Sequence, residues 1–406
     1  MSWFLTQAGQ EHVVLERQSR AGGSWRQRWD DFRLVTPNWT ASSPGDSYDD
    51  GDPDGFRTRD EIDARVARYA ESIAAPVEHS TEVGRLAARS GGGFELDTSQ
   101  GSLRAEQVVV ATGSFHNPRI PAIGSQLPAR VTQLHSHDYR NERSLPAGAV
   151  LIVGSGQSGC QIAEELVEAG RDVYLSVGSA RRAPRRYRGR DIFRWLAMLA
   201  AHGAEYGVPF PTVEQLPDLR LRSAGNPQLS GHDGGHDVNL RRMAREGTTL
   251  LHRIERIDRE CLHLRPGLST TLAAVDALFD HRFRPLIDRL IDAAGITAPP
   301  DERRPDTFEP PEVATLDIGE AGISTVIWAT GYGLNYSWLA MPILDEYGFP
   351  QQRRGVSEVP GLYFLGLLWQ HTQASATLFG PRLDAAHLVA AMGLPVPPDE
   401  VDVRLV

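Results

Sequence analysis

The stretch from Val150 to Val177, VLIVGSGQSGCQIAEELVEAGRDVYLSV, constrains this chain more than any other. Val150 to Val153 is a short apolar run that reads as a buried strand. Gly154, Gly156 and Gly159 then give GxGxxG at the end of that strand. A helical pattern follows, with Ile162, Ala163, Leu166 and Val167 on one face, and Gly170 ends it before a second strand, Val173 to Val177. This β-turn-α-β context makes GxGxxG a dinucleotide-binding signature. Gly154 permits the tight turn, Gly156 lets the backbone approach a pyrophosphate, and Gly159 allows helix and strand to pack closely. The helix start, with Ser155, Gln157 and Ser158 around it, offers unpaired N–H groups and a partial positive charge to phosphates.

Composition narrows the classes of function. The 406 residues are enough for two or three domains, and 41% hydrophobic with 23% charged is ordinary globular material. A net charge of −10 argues against a general nucleic-acid or anionic-membrane binder. Every one of the 42 Lys plus Arg residues is Arg, which excludes a Schiff-base lysine and a P-loop lysine. The two cysteines, Cys160 and Cys261, make no CxxC, against a redox-active pair of that spacing or a Cys-rich zinc site. No apolar run is long enough for a membrane span, and no signal-peptide pattern opens the chain, so a cytoplasmic protein is expected.

The central unit has a counterpart at the start of the chain. MSWFLTQAGQ reads as the back half of a helix closed at Gly9, and His12 to Glu16 as a strand. EELVEAGRDVYLSV and SWFLTQAGQEHVVLE share a helix ending in Ala-Gly, a polar spacer and a β-branched strand. Glu16 stands where such a unit places the acid that binds ribose hydroxyls, about 20 residues after its glycine turn. Counting back passes Met1, so the glycine turn of this first unit is not in the sequence. Trp25, Trp29 and Trp39 suit either stacking on a flat ligand or ordinary packing. Thr58 and Glu61 predict a capping box for a helix over residues 58–74. Val108 to Val110 runs into Ala111-Thr112-Gly113, and Thr325 to Trp328 into a second such segment, Ala329-Thr330-Gly331. Residues 191–300 read as mainly helical, with weak strands near Thr248–Leu251 and Leu262–Leu264. A last strand, Gly361 to Leu365, ends at Gly366 ahead of a helix within Ala374 to Met392. His232 and His236 in SGHDGGHD have metal-like spacing with Asp233 and Asp237, but the glycine pair between them indicates a loop, and no metal is expected.

Two such units, two Ala-Thr-Gly segments and a terminal strand–Gly–helix resemble the two-dinucleotide-binding-domain flavoproteins, and within them the flavin-containing monooxygenases, the class B flavoprotein monooxygenases. LIVGSGQSGCQIAEEL, the paired Ala-Thr-Gly segments and VPGLYFLGLLWQHTQASATLFG carry the resemblance. It implies an α/β fold of two Rossmann-like domains, with an NADPH domain (143–319) inserted into a discontinuous FAD domain (1–142 and 320–406). Glu16 would then hold the FAD ribose, Gly366 would approach the flavin phosphate or ribityl chain, and Asn38 lies near the flavin-proximal asparagine of the family, offset by a residue. Trp25, Thr112, Gly113, Ala329, Thr330 and Gly331 join the expected cofactor contacts. The family pattern FxGxxxHxxx(Y/F) is here ARVTQLHSHDY: His135 and Tyr139 match, while Ala129 and Val131 replace the Phe and Gly.

The resemblance implies FAD and NADPH as cofactors, a small organic substrate with molecular oxygen, and N- or S-oxygenation or Baeyer–Villiger insertion through a C4a-peroxyflavin. A flavin-dependent NADPH reductase or oxidase, and a truncated non-catalytic nucleotide-binding protein, stand as alternatives. NADPH is expected over NADH: Ser176 replaces the strand-end acid, and Arg181 and Arg182 suit a 2′-phosphate. This 406-residue form is expected to bind FAD weakly or not at all and an amino-terminally extended form well, through a start placed too far downstream.

Overall fold

A computed structural model describes residues 1–46, 51–179 and 181–398. Its centre is a five-stranded sheet in the order Thr248–Leu251, Val173–Ser176, Ala149–Val153, Ile323–Trp328, Thr132–His135. Every neighbouring pair is parallel. Parallel strands covered on both faces read as near-continuous apolar runs. Val150, Leu151 and Ile152 are fully buried, as are Val326 and Ile327. The helix Gln157–Glu168 packs Ile162, Ala163 and Leu166 into the same core. Its end is set by Gly170, whose φ of 78° is the left-handed conformation that glycine adopts without strain.

Around this sheet lie the remaining layers. Val108–Val110 pairs in parallel with Leu362–Phe364, which continues into Val356–Ser357 and Gln352–Arg353. Val14–Leu15 pairs in parallel with Val77–Glu78. A three-stranded antiparallel sheet, Val83–Ala88, Phe94–Thr98 and Gly101–Ala105, covers the amino-terminal part. The helix Arg59–Ser72 has the expected box: the Thr58 side chain accepts from the Glu61 N–H while Glu61 accepts from the Thr58 N–H. The final helix runs Gly380–Ala391.

Two expectations change. The strand that leads into the second Ala-Thr-Gly segment is expected in the returning part, 320–406; it lies instead inside the central sheet, bonded to both Ala149–Val153 and Thr132–His135. Residues 132–135, expected in the first part, are in that sheet too. The chain therefore leaves the central sheet only after Trp328, and the sheet boundaries fall outside 143 and 319 on both sides. The physical reason is partner choice: an apolar run such as Ile323–Trp328 suits any interior strand, and only the register with its neighbours says which sheet it completes. In 191–300 the weak strands expected near Thr248–Leu251 and Leu262–Leu264 are both present, and the mainly helical reading missed the partner strand Ile254–Asp258. Helices Ile192–His202, Leu240–Arg245, Leu268–Arg282 and Arg284–Ala293 are present. Between them an antiparallel hairpin, Ile254–Asp258 with Cys261–Leu264, takes a third strand from Thr315–Asp317.

Candidate dinucleotide site at the edge of the central sheet

All five central strands point their carboxyl ends to one edge, where open α/β sheets bind ligands at the point of topological reversal. That point lies between Val153 and Trp328. The chain passes from Ala149–Val153 to Val173–Ser176 on one side, and Ile323–Trp328 flanks it on the other. Two glycines of the turn are required by contact. Gly154 has φ 110°, and a Cβ there would stand 2.5 Å from the Ala329 carbonyl oxygen. A Cβ on Gly159 would stand 1.9 Å from the Gly154 oxygen. A Cβ on Gly156 would meet nothing within 4 Å, so this residue faces open space at the start of the helix. Gly156 is the N-cap and supplies no side-chain cap. The first-turn N–H groups are thus left for an anion, as a helix start binding phosphate requires.

The turn is braced from outside. Gln157 donates to the Leu229 carbonyl and accepts from the Leu229 N–H at 2.9 Å. Gln228 donates to the carbonyl of Ser155, and the Ser155 hydroxyl accepts from the Gly178 N–H at 3.2 Å. Ser158 is half-buried on the first turn.

Beyond the ends of Val173–Ser176 and Thr248–Leu251 lies a cavity of about 610 Å³. Arg181, Arg253 and Arg265 reach it, and Ala274, Val275 and Leu278 form an apolar wall. Arg265 is paired with Glu255 at 2.8 Å. Burial, with Arg282 nearby, lowers the pKa of Arg181, so an anion beside it would relieve an unfavourable environment. His252 supplies the floor, held by the Arg265 and Pro266 carbonyls at 3.0 Å each and by Thr271 at 3.0 Å.

Two of the expected ligands turn away from this cavity. Arg182, expected beside Arg181, donates to Asp276 at 2.8 Å and lies 3.6 Å from Asp237, because alternate side chains of the loop point to opposite sides. It lines a second cleft of about 370 Å³, with Arg185, Arg242 and His236. Ser176 is buried and donates to the His252 carbonyl at 3.2 Å, so its hydroxyl stitches two strands together.

The Ala329-Thr330-Gly331 segment borders the turn on its other side. The Ala329 N–H donates to Val153 at 2.9 Å, and the Thr330 hydroxyl donates to the Arg119 carbonyl. His135 is buried; its Nε2 bonds the Gly331 carbonyl at 2.9 Å, while its Nδ1 accepts from the His137 N–H at 3.0 Å. That pair of partners specifies the neutral Nε2–H tautomer, and burial lowers its pKa. His135 braces the segment. Tyr139 is fully buried and donates to Glu165 at 2.8 Å. Burial raises the Tyr139 pKa and pushes Glu165 up to about 7.

The amino-terminal candidates are dispersed. Glu16 accepts from the Gln18 N–H at 2.8 Å. Trp25 packs against the core with its ring 6.0 Å from that of Phe32, beside the buried Trp29. Asn38 is buried, donates to the Asp52 carbonyl at 3.0 Å, and leaves Oδ1 without a partner. Thr112 is exposed, and Gly113 and Gly366 have φ of 71° and 81° with open space where a Cβ would stand. His232, Asp233, His236 and Asp237 form a hairpin tip and base, and their side chains go separate ways. His236 bonds Glu164 at 3.1 Å, His232 lies 3.7 Å from Asp31, and Asp237 accepts from the Arg185 N–H. Among the described residues no group of three or more His, Cys, Asp and Glu is placed to hold a metal ion. Sequence reasoning missed Arg253, Gln157's clamp and Gln228. Arg253 was within reach, because it directly follows a recognised strand and His252.

The chain resembles known proteins over most of its length. A profile of the pyridine nucleotide-disulphide oxidoreductases matches residues 1–196. A CzcO-like oxidoreductase of Geobacillus kaustophilus (strain HTA426) is 32% identical over 392 residues, 96% of this chain and 93% of that protein. The chain belongs to the family of CzcO-like oxidoreductases. As a member of that family it shares its fold with solved flavoproteins. A double mutant of a flavin monooxygenase from Stenotrophomonas maltophilia matches with a TM-score of 0.62 at 19% identity, covering 96% of this chain and 93% of the other. A cadaverine monooxygenase of desferrioxamine biosynthesis from Erwinia amylovora, solved with FAD, gives 0.62 at 14% identity, covering 98% and 92%. Family membership makes this chain an oxidoreductase.

Proposed function

We propose that this chain binds FAD and NADPH and oxygenates a small organic molecule. The observation that carries the NADPH half is the continuous edge from the uncapped start of helix Gln157–Glu168 to the cavity holding Arg181 and Arg253. The helix start suits a diphosphate, the apolar wall Ala274–Val275–Leu278 suits an adenine ring, and two guanidiniums suit a 2′-phosphate. Arg182 is set aside in favour of Arg253, because Asp276 and Asp237 occupy it. The absence of a carboxylate at Ser176 supports NADPH over NADH, since an acid there would repel a 2′-phosphate.

For FAD, the residues that would hold the cofactor are Glu16, Thr112, Gly113 and Gly366, with Asn38 beside it and its free Oδ1 as a polar contact. Three of these offer space: neither Gly113 nor Gly366 has an atom where a side chain would lie, and Thr112 is exposed. When bound, the flavin supplies the oxygen chemistry and the nicotinamide the hydride. The protein's part is to position and to exclude water. Gly154 and Ala329 in close contact bring the two halves of the edge together, and His135, held neutral, fixes Gly331 without contributing a charge.

The test has three readouts. A visible spectrum of the purified protein shows whether flavin is bound. Calorimetric titration with NADP⁺ and NAD⁺ is expected to favour NADP⁺, and equal affinities would overturn the 2′-phosphate assignment. Product analysis under oxygen then separates oxygen insertion from plain NADPH oxidation.

A further inference from the structure

Many guanidiniums have a carboxylate within reach; among the described residues, Arg17 and Arg28 do not. Arg20 and Arg26 reach Asp63 at 2.5 and 3.7 Å. Arg185 reaches Asp191 at 2.8 Å and Arg188 reaches Asp288 at 3.1 Å. Arg17 and Arg28 have no ion-pair partner among the described residues. Arg17 follows Glu16 at the end of Val14–Leu15, and the Arg28 guanidinium sits 5.9 Å from the Phe32 ring centroid.

Arg17 acts electrostatically on His116 and His137, and Arg28 bonds Tyr332, in a knot of aromatic and imidazole rings beside the two Ala-Thr-Gly segments. Tyr332 directly follows Gly331, and its hydroxyl is 3.5 Å from Nδ1 of His137. Its ring meets those of His135, Phe115 and His137 edge to face, at 5.1, 5.7 and 6.0 Å. Arg140 bonds both the Gln27 and His137 carbonyls, at 3.0 and 2.8 Å, which ties the Arg28 segment to His137. Three buried polar atoms here lack a partner: Nε of Arg28, Oγ of Ser114 and Nδ1 of His116. The charges are one-sided. His137 feels Arg17, Arg28 and Arg140 against Asp138 alone, and burial lowers its pKa; His116 feels burial and Arg17. Arg28 also acts on Tyr332, whose pKa burial raises.

We propose that Arg17, Arg28, His137 and Tyr332 form a binding site for an oxyanion, a cofactor diphosphate or a substrate carboxylate, at the opposite end of the sheet edge from the Arg181 cavity. Two guanidiniums provide charge-assisted, potentially bidentate donors, and the phenol provides a neutral one. An anion there would supply a counter-charge to Arg17 and Arg28 and a partner for the buried Arg28 Nε. It would also favour the imidazolium form of His137, so its pKa rises on binding. The corner is separate from the Arg181 cavity, so its occupancy is tested independently of the NADPH reading.

The test titrates the whole protein with inorganic pyrophosphate and, separately, with phenylacetate, following the His137 side chain by NMR with His137→Gln for assignment. The expected result is an upward shift of the His137 pKa with at least one probe. Arg28→Gln should weaken that probe about tenfold, the loss expected for one charge-assisted hydrogen bond. Arg28→Lys should recover part of it, and Arg181→Gln should leave it unchanged. Should Arg28→Gln fail to fold, Tyr332→Phe gives a second variant with a smaller loss. Displacement of pyrophosphate by FAD assigns the anion to the cofactor; a phenylacetate response that survives saturating FAD assigns it to substrate. No shift of His137 with either probe, an unchanged affinity in Arg28→Gln, or loss in Arg181→Gln instead would overturn the site.

Discussion

The chain ends two helices by the same device and places the strands that follow in different surroundings. After Ser2–Gln7, the Ala8, Gly9 and Gln10 N–H groups donate to Phe4, Thr6 and Leu5 at 3.0, 3.0 and 2.9 Å. After Gln157–Glu168, Ala169, Gly170 and Arg171 donate to Glu165, Val167 and Leu166 at 3.0, 2.9 and 2.9 Å. Gly9 and Gly170 have φ of 69° and 78°. The match is a Schellman-type stop encoded by Ala-Gly. The strands then diverge. Val173–Ser176 has parallel neighbours on both sides, and Val173 and Leu175 are 2% and 0% exposed. Val14–Leu15 pairs with Val77–Glu78 alone among the described strands, and Val13 is 46% exposed. Local sequence repeats a helix stop; neighbours determine how deeply the next strand is buried.

The largest expected effect probes what the central unit adds to that shared stop. Gly159→Ala would force a Cβ to 1.9 Å from the Gly154 oxygen. The helix-favouring gain of alanine is swamped by this overlap, and a loss of about 3 kcal/mol is expected in chemical denaturation. Gly156→Ala meets no atom, so it should fold normally and lose NADP⁺ affinity instead. A stable Gly159→Ala protein would mean that the turn is looser than the contacts state.

Next in size is the cavity beside the central unit. Arg181→Ala and Arg253→Ala should each weaken NADP⁺ by about 10–100-fold, as expected for a charged hydrogen bond, and leave NAD⁺ unchanged. Arg182→Ala should have the smaller effect because Asp276 already engages that side chain. Calorimetry on the three variants decides it, and the reverse ranking would return the 2′-phosphate to Arg182.

A smaller effect tests the likeness itself. Gly9→Ala and Gly170→Ala each place alanine at positive φ with no contact within 4 Å, so each should cost about 1 kcal/mol through the backbone alone. Similar losses in urea would confirm a common stop, and a large excess at one would show that its surroundings matter.

The smallest effect is pH-dependent and again belongs to the central helix. Burial, ahead of the opposing Tyr139 hydrogen bond, raises the Glu165 pKa from 4.5 to about 7. The folded state therefore holds this proton more tightly than the unfolded chain. Its contribution is complete below about pH 4.5 and is lost as pH rises through about 7. Glu165→Gln keeps an acceptor for Tyr139 and removes the titration. Its stability should fall less than wild type across that window, and parallel pH profiles would count against the assignment.

The sequence by itself determined the local devices. The strand–turn–helix with Gly154, Gly156 and Gly159, the Ala-Gly stops and the Thr58–Glu61 capping box all appear in the fold where local spacing places them. Each depends on contacts within a few residues, so a short window holds the whole cause. The α/β class followed from the same windows. Tertiary structure alone decided which sheet Ile323–Trp328 completes, because its apolar residues would be buried beside any parallel neighbour. It also decided that Arg253 and not Arg182 stands beside Arg181. Adjacent side chains on a loop diverge, and the carboxylate that captures Arg182, Asp276, comes from a helix 94 residues further along the chain. Charges meet across such distances only after the chain has closed, and no local pattern records the meeting.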